Sequence, residues 1–179
     1  MNTADNKKVL FVCTGNYYRS RLAELLFNHY ADEAGMGWTG DSRGVLERTA
    51  QRGLSPSAIR YLEGRELTHL IDESRSPKPL KLDHFEQFSV IVGMCRKEHS
   101  SLMLTRFGQI PRMLEKKGVL RYWNVDDLPT PSHLNGGLLQ RLKVAFAGND
   151  DHFGQREESG CEHVDFAVRA LVRELAGDR

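Results

Sequence analysis

The sequence predicts an α/β fold in which a parallel sheet lies between two layers of helices. Short runs of aliphatic and β-branched residues alternate along the chain with longer segments of helical periodicity. This alternation is typical of βαβ units, whose strands are parallel and are covered by helices on both faces. Active sites in such folds lie at the carboxyl ends of the strands, and the search for chemistry begins there.

Three segments are predicted to be buried strands, and a fourth is a weaker candidate. Residues 7–12 follow a polar leader, are apolar at most positions and end before a glycine and an asparagine, as a buried parallel strand does. The other two clear strands are Ser89 to Met94 and Val119 to Val125. The weaker candidate is Trp38 to Ser42.

Helices are predicted between these strands. From Ser20 onward, leucines and alanines recur at helical spacing until Gly35 stops them. Ser55 before Pro56 combines a capping hydroxyl with a proline at the first helical position, which predicts a helix that runs to Gly64. Further helices are predicted over residues 97–107, 138–147 and 164–176.

Length and composition predict one domain. The chain has 179 residues, of which 40% are hydrophobic, and this is enough for a single sizeable core. Two stretches are predicted to be surface insertions with loop structure. Pro129 to Gly137 is rich in proline, glycine and polar residues, and Gly148 to Gly160 has almost no apolar residue.

Charge and hydropathy exclude several classes of protein. The 25 basic and 24 acidic residues nearly cancel, so no net field draws the chain to nucleic acid or to an anionic membrane. Apolar runs such as residues 9–13 are far shorter than the roughly 20 residues that cross a bilayer. Three cysteines without paired spacing argue against a disulfide framework. We therefore expect a cytoplasmic protein with reduced thiols.

The loop after the first strand carries the chemistry. Cys13 ends the strand, Arg19 follows six positions later, and a helix begins there. Backbone N–H groups of a loop that enters a helix N-terminus converge on one point and favour an anion. Gly15 gives the turn its backbone freedom, and Arg19 can clamp two phosphoryl oxygens with its planar fork. A buried structural cysteine is the alternative interpretation of Cys13.

The other residues of this loop have expected roles in binding the substrate. The positive field favours the thiolate of the cysteine, the nucleophilic form. Ser20 could donate a hydrogen bond to that thiolate, and Asn16 could pin the loop through its amide. The backbone amides from Thr14 to Arg19 complete the oxyanion cradle. Tyr17, Tyr18 and Trp123 are candidate walls for a phenyl ring, although each could equally pack in the core.

The segment VLFVCTGNYYRSRLAE resembles the opening of low-molecular-weight protein tyrosine phosphatases and of the arsenate reductases that share their fold. The resemblance continues at Ser42 to Gly44, at Asp83 to Met94 and at Trp123 to Asp127. It implies a three-layer α/β/α fold with a four-stranded parallel sheet, the phosphatase-I-like arrangement with flavodoxin-like layering. It also implies hydrolysis of phosphomonoesters through a phosphocysteine intermediate, without a metal or cofactor.

An acid is needed to protonate the leaving group, and the chain offers Asp126 and Asp127. The family places its aspartate four residues after a tryptophan-like position and directly before proline. Asp127 matches the count from Trp123, but Leu128 separates it from the proline. We prefer Asp127, with a solvated turn carboxylate as the alternative for either residue.

Two departures from the family bear on redox chemistry. Tyr18 stands where many relatives carry a cysteine that protects the nucleophile through a disulfide. Arsenate reductases shuttle a disulfide, and Cys95 lies at a suitable place, but the expected second cysteine is absent and Cys161 is distant in the chain. A buried thiol is the preferred interpretation of Cys95.

Three functions therefore stand at this point. The first is hydrolysis of phosphomonoesters, foremost phosphotyrosine in proteins, with small phosphomonoesters as other substrates. The second is arsenate reduction with an external thiol. The third is a binding module that holds phosphate or a phosphorylated partner without turnover. The seven histidines lack zinc spacing and are interpreted as surface residues, and His69, His84 and His99 show no partner in the sequence.

Overall fold

The computed structural model of the protein describes residues 7–47, 53–72, 74–125 and 150–177, with side chains in the last range described from residue 159 onward. A four-stranded parallel sheet with strand order β2-β1-β3-β4 forms the centre. This confirms the predicted sheet. The strands are β1 (Lys8–Cys13), β2 (Thr39–Gly44), β3 (Val90–Gly93) and β4 (Leu120–Tyr122).

The register of the sheet brings the ends of the strands to one edge. Cys13 pairs with Gly44, and Val12 pairs with Gly93. The carboxyl ends of β1, β2 and β3 therefore lie side by side, and the segments that leave them can meet.

Two layers of helices cover the sheet, which confirms the predicted three-layer fold. Side chains alternate along β1, so that Phe11 joins a core beneath one layer and Leu10 joins a core beneath the other. The first layer contains α1, α2 and α6, and the second contains α3, α4 and α5. The helices are α1 (Arg19–Glu33), α2 (Pro56–Gly64), α3 (His84–Gln87), α4 (Arg96–Phe107), α5 (Ile110–Lys116) and α6 (Asp150–Ala176).

Local sequence signals explain the start of α2. The hydroxyl of Ser55 accepts a hydrogen bond from the amide of Ala58 at 3.3 Å, and Pro56 occupies the first turn. The serine thus satisfies one of the amides that a helix N-terminus leaves without a partner. The predicted helix from Pro56 to Gly64 is confirmed.

The structure corrects one prediction in the C-terminal region. Residues 150–160 were expected to form a loop, but they belong to α6, which begins at Asp150 and runs to Ala176. Residues 155–158 are strong helix formers, so a helix that is apolar from Val164 onward can extend without an apolar stripe. Whether this stretch is an insertion stays a prediction. The predictions for 129–137 and 138–147 lie outside the described residues.

A buried carboxylate joins α6 to α1 and α2. Asp165 accepts hydrogen bonds from the hydroxyls of Tyr30 at 2.8 Å and Tyr61 at 2.7 Å, and from Nε of Arg169 at 2.9 Å. Burial raises the pKa of Asp165, but these donors outweigh burial and hold its pKa below the ordinary value. We call these four residues the Asp165 cluster. It links three helices that are far apart in sequence.

Among the described residues, no helix combines the length and the apolar character that crossing a membrane requires.

Candidate active site

The loop between β1 and α1 lies at the carboxyl edge of the sheet. It turns at Asn16, whose φ of 52° is in the left-handed region that asparagine tolerates better than most residues. Gly44, at the end of β2, lies against this turn. A Cβ at Gly44 would come to 3.0 Å from the backbone of both Gly15 and Asn16, so a larger residue would displace the loop.

The sulfur of Cys13 is the centre of the loop. Its side chain is buried, and Sγ lies 2.9 Å from the hydroxyl oxygen of Ser20. The backbone amide of Asn16 donates to the same sulfur at 3.2 Å. Donors directed at sulfur stabilise a thiolate more than a thiol. The structure thus brings Ser20 to the place where its predicted role requires it.

The side chain of Asn16 ties the loop to two other segments. Its amide nitrogen donates to the hydroxyl of Ser42 at 2.7 Å, and its amide oxygen accepts from the backbone amide of Lys78 at 2.8 Å. The hydroxyl of Ser42 donates to Glu24 at 2.5 Å, and Glu24 is paired with Arg75. Asn16 therefore pins the loop as expected, but the sequence analysis did not find Glu24 or Arg75.

The side chain of Arg19 is held by a carboxylate from α4. Its Nη1 donates to Oε2 of Glu98 at 2.7 Å, and its Nη2 donates to Oε1 at 3.1 Å. Nη1 also donates to the carbonyl of Val125 at 3.1 Å. Burial raises the pKa of Glu98, but the hydrogen bonds and charge of Arg19 outweigh it and leave the pKa below its ordinary value. Glu98 is therefore ionised at neutral pH.

Thr14 joins this pair to a buried histidine. Its hydroxyl donates to Oε1 of Glu98 at 2.9 Å and lies 3.2 Å from Nε2 of His99. Nδ1 of His99 accepts from the backbone amide of Cys95 at 2.9 Å, so the proton of the neutral ring is on Nε2. Burial, with the charge of Arg19, lowers the pKa of His99 to about 4. The ring is neutral near pH 7 and donates to Thr14.

The candidate wall residues are placed differently from one another. Tyr17 is half-buried, and its carbonyl accepts from the amide of Ser55 at 3.1 Å. Tyr18 instead lies in the core, and its hydroxyl is 3.4 Å from the sulfur of Cys161. Trp123 packs against the same core, with its ring centroid 5.7 Å from that of Phe11. We therefore no longer assign the side chain of Tyr18 to a substrate wall.

The interpretation of all seven histidines as surface residues is wrong. His99 is fully buried with the contacts given above, and His84 is also buried, with its Nδ1 accepting from the amide of Lys81 at 3.0 Å. The hydrogen-bond partners of these two histidines lie in another segment or in the local turn, and no pattern of residue spacing in the sequence indicates them. The two acid candidates, Asp126 and Asp127, lie outside the described residues.

None of the three cysteines of the chain forms a disulfide. Cys13, Cys95 and Cys161 are each buried, as the preferred interpretation of Cys95 expected. Within the part of the chain that the structure describes, no three or more His, Cys, Asp or Glu side chains are grouped to hold a metal ion.

A buried cysteine sulfur accepts from an amide of its own loop at the carboxyl edge of a parallel sheet, and the helix that follows begins with a buried arginine. This is the arrangement of a cysteine-dependent phosphatase. The model of the family described as low molecular weight phosphotyrosine protein phosphatase matches residues 8–128. The match covers more than half of the chain, and the chain therefore belongs to this family. It is a cysteine-dependent phosphatase that hydrolyses phosphomonoesters, which confirms the activity that the resemblance implied.

The names of similar proteins state two different substrates, phosphoarginine and phosphotyrosine. A protein-arginine-phosphatase of Bacillus subtilis (strain 168) is 27% identical over 173 residues, which are 96% of this chain and 98% of the relative. The structure of a low molecular weight phosphotyrosine phosphatase from Vibrio cholerae O395 has a TM-score of 0.66 at 17% identity, covering 94% of this chain and 95% of the other. A mutant of the YwlE arginine phosphatase with a phosphorylated active site serine has a TM-score of 0.65 at 20% identity, covering 96% and 97%. These structures share the fold of this chain.

Proposed function

We propose that this phosphatase hydrolyses phosphotyrosine in proteins, with Cys13 as the nucleophile. The observation that carries the proposal is the position of the sulfur, which is 2.9 Å from the hydroxyl of Ser20 and 3.2 Å from the amide of Asn16, at the start of the loop that leads into α1. Two hydrogen-bond donors and the positive end of a helix together favour the thiolate. The solved YwlE mutant carries a phosphoryl group on its active site serine, which supports a covalent intermediate in this chain.

The reaction takes two steps in this proposal. The thiolate of Cys13 forms a bond to phosphorus while the bond from phosphorus to the phenolic oxygen breaks, and Asp127 gives its proton to that oxygen. Water then attacks phosphorus, Asp127 takes a proton from it, and the S–P bond breaks to release phosphate and the thiolate. Arg19 and the backbone amides of residues 14–19 hold the remaining phosphoryl oxygens.

The position of Val125 supports an acid in the residues that directly follow it, and the count of four residues from Trp123 selects Asp127. The carbonyl of Val125 accepts a hydrogen bond from Arg19, and its amide donates to the carbonyl of Met94 at 2.9 Å. Covalent geometry keeps an aspartate two residues farther along within about 7 Å of Val125. This distance allows the carboxyl group to reach the leaving oxygen of a phosphate bound at Arg19.

The substrate follows from the residue at position 17. Tyr17 is half-buried in the loop, and an aromatic side chain there can pack against the phenyl ring of phosphotyrosine. Phosphoarginine in proteins is the second candidate, because the Bacillus subtilis relative that aligns along 96% of this chain is a protein-arginine-phosphatase. We also propose that the protein is cytoplasmic, since a reducing compartment keeps cysteines that form no disulfide in the thiol form.

The first experiment compares substrates and replaces the nucleophile. The purified protein is assayed with an aryl phosphate, a phosphotyrosine peptide, a phosphoarginine peptide, and arsenate with a thiol reductant. We expect phosphotyrosine to have the highest kcat/KM of the two peptides. Cys13→Ser should lower turnover more than about 10³-fold, because the serine hydroxyl is a much weaker nucleophile than a thiolate. Cys161→Ser, at another buried cysteine, is the matched control and should leave kcat nearly unchanged.

Each contrary result has a definite meaning. A higher kcat/KM for the phosphoarginine peptide would replace phosphotyrosine by the second candidate. Arsenate reduction without hydrolysis of any phosphate would overturn the proposal. Tight binding of phosphate without turnover of any substrate would indicate a binding module instead.

A second experiment tests the acid. Asp127→Asn should lower kcat for a phosphotyrosine peptide by roughly 10² to 10⁴, because the phenolate must then leave without a proton. Asp126→Asn, one residue earlier in the same segment, is the control and should have a much smaller effect. A larger loss in Asp126→Asn would transfer the role of acid to Asp126.

A further inference from the structure

The fork of Arg19 is already engaged by a protein carboxylate in this structure. The side chain of Arg19 is only 1% exposed, whereas that of Glu98 is 31% exposed, so the carboxylate stands between the arginine and solvent. Glu98 contacts Nη1 and Nη2 of the guanidinium, which form its outer edge. A buried cation without a carboxylate next to it would be costly, and Glu98 offsets that cost.

We propose that Glu98 is a positioning residue, whose carboxylate fixes the orientation of the Arg19 guanidinium for the transition state of phosphoryl transfer. The inference rests on the proposed function of Arg19 and deepens it. Glu98 is not the acid in this proposal, since a carboxylate that is paired with arginine and ionised at neutral pH has no proton to donate.

Planarity makes this positioning effective. The guanidinium is flat, and Glu98 fixes two of its nitrogens while the carbonyl of Val125 accepts from one of them. Two fixed nitrogens determine the plane and therefore the direction of the third nitrogen, Nε. A lysine or a singly bonded arginine would keep a rotation that this arrangement removes.

The carboxylate is itself oriented by a chain of hydrogen bonds. The amide of Cys95 fixes the tautomer of His99, the ring of His99 donates to the hydroxyl of Thr14, and that hydroxyl donates to Oε1 of Glu98. Each hydrogen bond in this chain has one donor and one acceptor, so the hydroxyl of Thr14 is held in a single orientation. The chain connects the residue after the nucleophile to the helix that carries Glu98.

Removal of the charge of Glu98 has two opposed effects on a bound anion. A nearby negative charge repels a phosphate dianion, whereas a fixed arginine attracts the same dianion more strongly when its geometry matches. For phosphate in the ground state these effects largely cancel. For the five-coordinate transition state, geometry matters more, so loss of Glu98 lowers kcat more than it weakens phosphate binding.

The test uses Glu98→Gln, which keeps the shape of the side chain but places an amide where the arginine needs an acceptor. We expect kcat for an aryl phosphate to fall by about 10-fold to 100-fold. Inhibition by vanadate, which mimics the five-coordinate phosphoryl group, should weaken by a similar factor. Inhibition by inorganic phosphate should change less than about 3-fold, because the opposed effects cancel.

A matched control and a second variant accompany this test. Glu115→Gln removes the carboxylate of a surface pair between Glu115 and Arg96, and Arg96 lies on α4 as Glu98 does. This variant should leave kcat, the inhibition by vanadate and the inhibition by phosphate unchanged. Glu98→Asp keeps the charge but is one methylene shorter, and it should restore part of the lost kcat. Thr14→Val combined with Glu98→Gln should lose less than the sum of the two single losses, because both act on one contact.

Several results would overturn the proposal. The first is a kcat of Glu98→Gln within about twofold of that of the unchanged protein. The second is an equal change in the inhibition by vanadate and by phosphate. The third is tighter binding of vanadate to Glu98→Gln than to the unchanged protein. The last result would mean that Glu98 competes with the ligand for Arg19. If the unchanged protein has no turnover, the proposed function fails, while the comparison of vanadate with phosphate still decides the role of Glu98.

Discussion

Two polar clusters lie at opposite ends of α1, and they differ in the negatively charged group that their hydrogen-bond donors bind. At the C-terminal end, hydroxyls and a guanidinium converge on Asp165, which is 4% exposed, so the protein supplies the negative charge. At the N-terminal end, the Ser20 hydroxyl and the Asn16 amide contact the sulfur of Cys13, and Arg19 is the first residue of the helix. In the proposed mechanism the substrate brings the phosphoryl group to these donors.

The difference separates stability from catalysis. The Asp165 cluster joins α1, α2 and α6, and its donors already have their acceptor. Burial and the hydrogen bond to Asp165 raise the pKa of Tyr30 to about 12, so its hydroxyl remains a donor at any physiological pH. We therefore expect changes at Asp165 to affect unfolding, whereas changes around Cys13 affect turnover.

The largest effect on stability should come from Asp165→Ala. It leaves the buried hydroxyls of Tyr30 and Tyr61 without their acceptor, at about 1 to 3 kcal/mol for each, so we expect a loss of roughly 4 kcal/mol. Urea unfolding at pH 7 measures the loss, and kcat of the folded fraction should stay unchanged. Glu174 lies on the same helix as Asp165 and forms an exposed pair with Arg121 of β4, so Glu174→Ala should cost less than about 1 kcal/mol. Equal losses in the two variants would contradict the comparison.

The pH dependence of stability sharpens the comparison further. His99 has an ordinary pKa of 6.5 when unfolded and about 4 when folded, because of burial and the charge of Arg19. Below pH 6.5 the unfolded chain therefore binds a proton that the folded chain does not bind, and stability falls toward pH 4 by roughly 3 kcal/mol at most. The pKa of folded Asp165 lies below its ordinary value of 3.8, so this carboxyl loses its contribution to stability mostly below this window.

Urea unfolding from pH 7 to pH 4 checks this prediction. His99→Gln should flatten the fall in the free energy of unfolding. His84→Gln should flatten it less, because burial also lowers the pKa of His84 but this residue is farther from full burial. An unchanged slope in His99→Gln would show that its folded state binds the proton.

The smallest predicted effect concerns a cation that belongs to neither cluster. Arg21 is 1% exposed, and none of its three guanidinium nitrogens has a hydrogen-bond partner among the described residues. Burial, with the nearby charge of Arg75, lowers its pKa. Arg21→Met should stabilise the protein by about 1 to 2 kcal/mol, because replacement of a buried charge by an apolar side chain removes the desolvation cost.

The control for Arg21 is an exposed arginine of α5. Arg112→Met should change the free energy of unfolding by less than about 0.5 kcal/mol. Destabilisation in Arg21→Met would mean that its guanidinium stabilises the folded chain despite its burial.

The sequence allowed the loop from Cys13 to Ser20 to be predicted because its parts are neighbours in the chain. A strand, a glycine and a helix start within a few residues fix where the amides and Arg19 lie. Glu98 and His99 were not found, because they come from α4 and contact Thr14 across more than 80 positions of sequence. No local spacing encodes such a contact.

The same distinction explains the outcome for the fold. Three strands of the sheet followed from apolar runs, each of which reports on its own burial, whereas β2 has no such run and its segment was only a weaker candidate. The first part of α6 has no apolar periodicity over residues 150–160, and without that signal it was predicted to be a loop. Helix propensity, which is independent of burial, was the signal that could have identified it.

The central claim is that Cys13 carries the phosphoryl group during turnover. Asp127→Asn is mixed with an aryl phosphate and quenched within one turnover, and the peptide that contains Cys13 is examined by mass spectrometry. We expect one added phosphoryl group on Cys13, and none on the corresponding peptide of Cys13→Ala, which has no nucleophilic atom at that position. Continued turnover with no phosphoryl group on Cys13, or with the group on another residue, would contradict it.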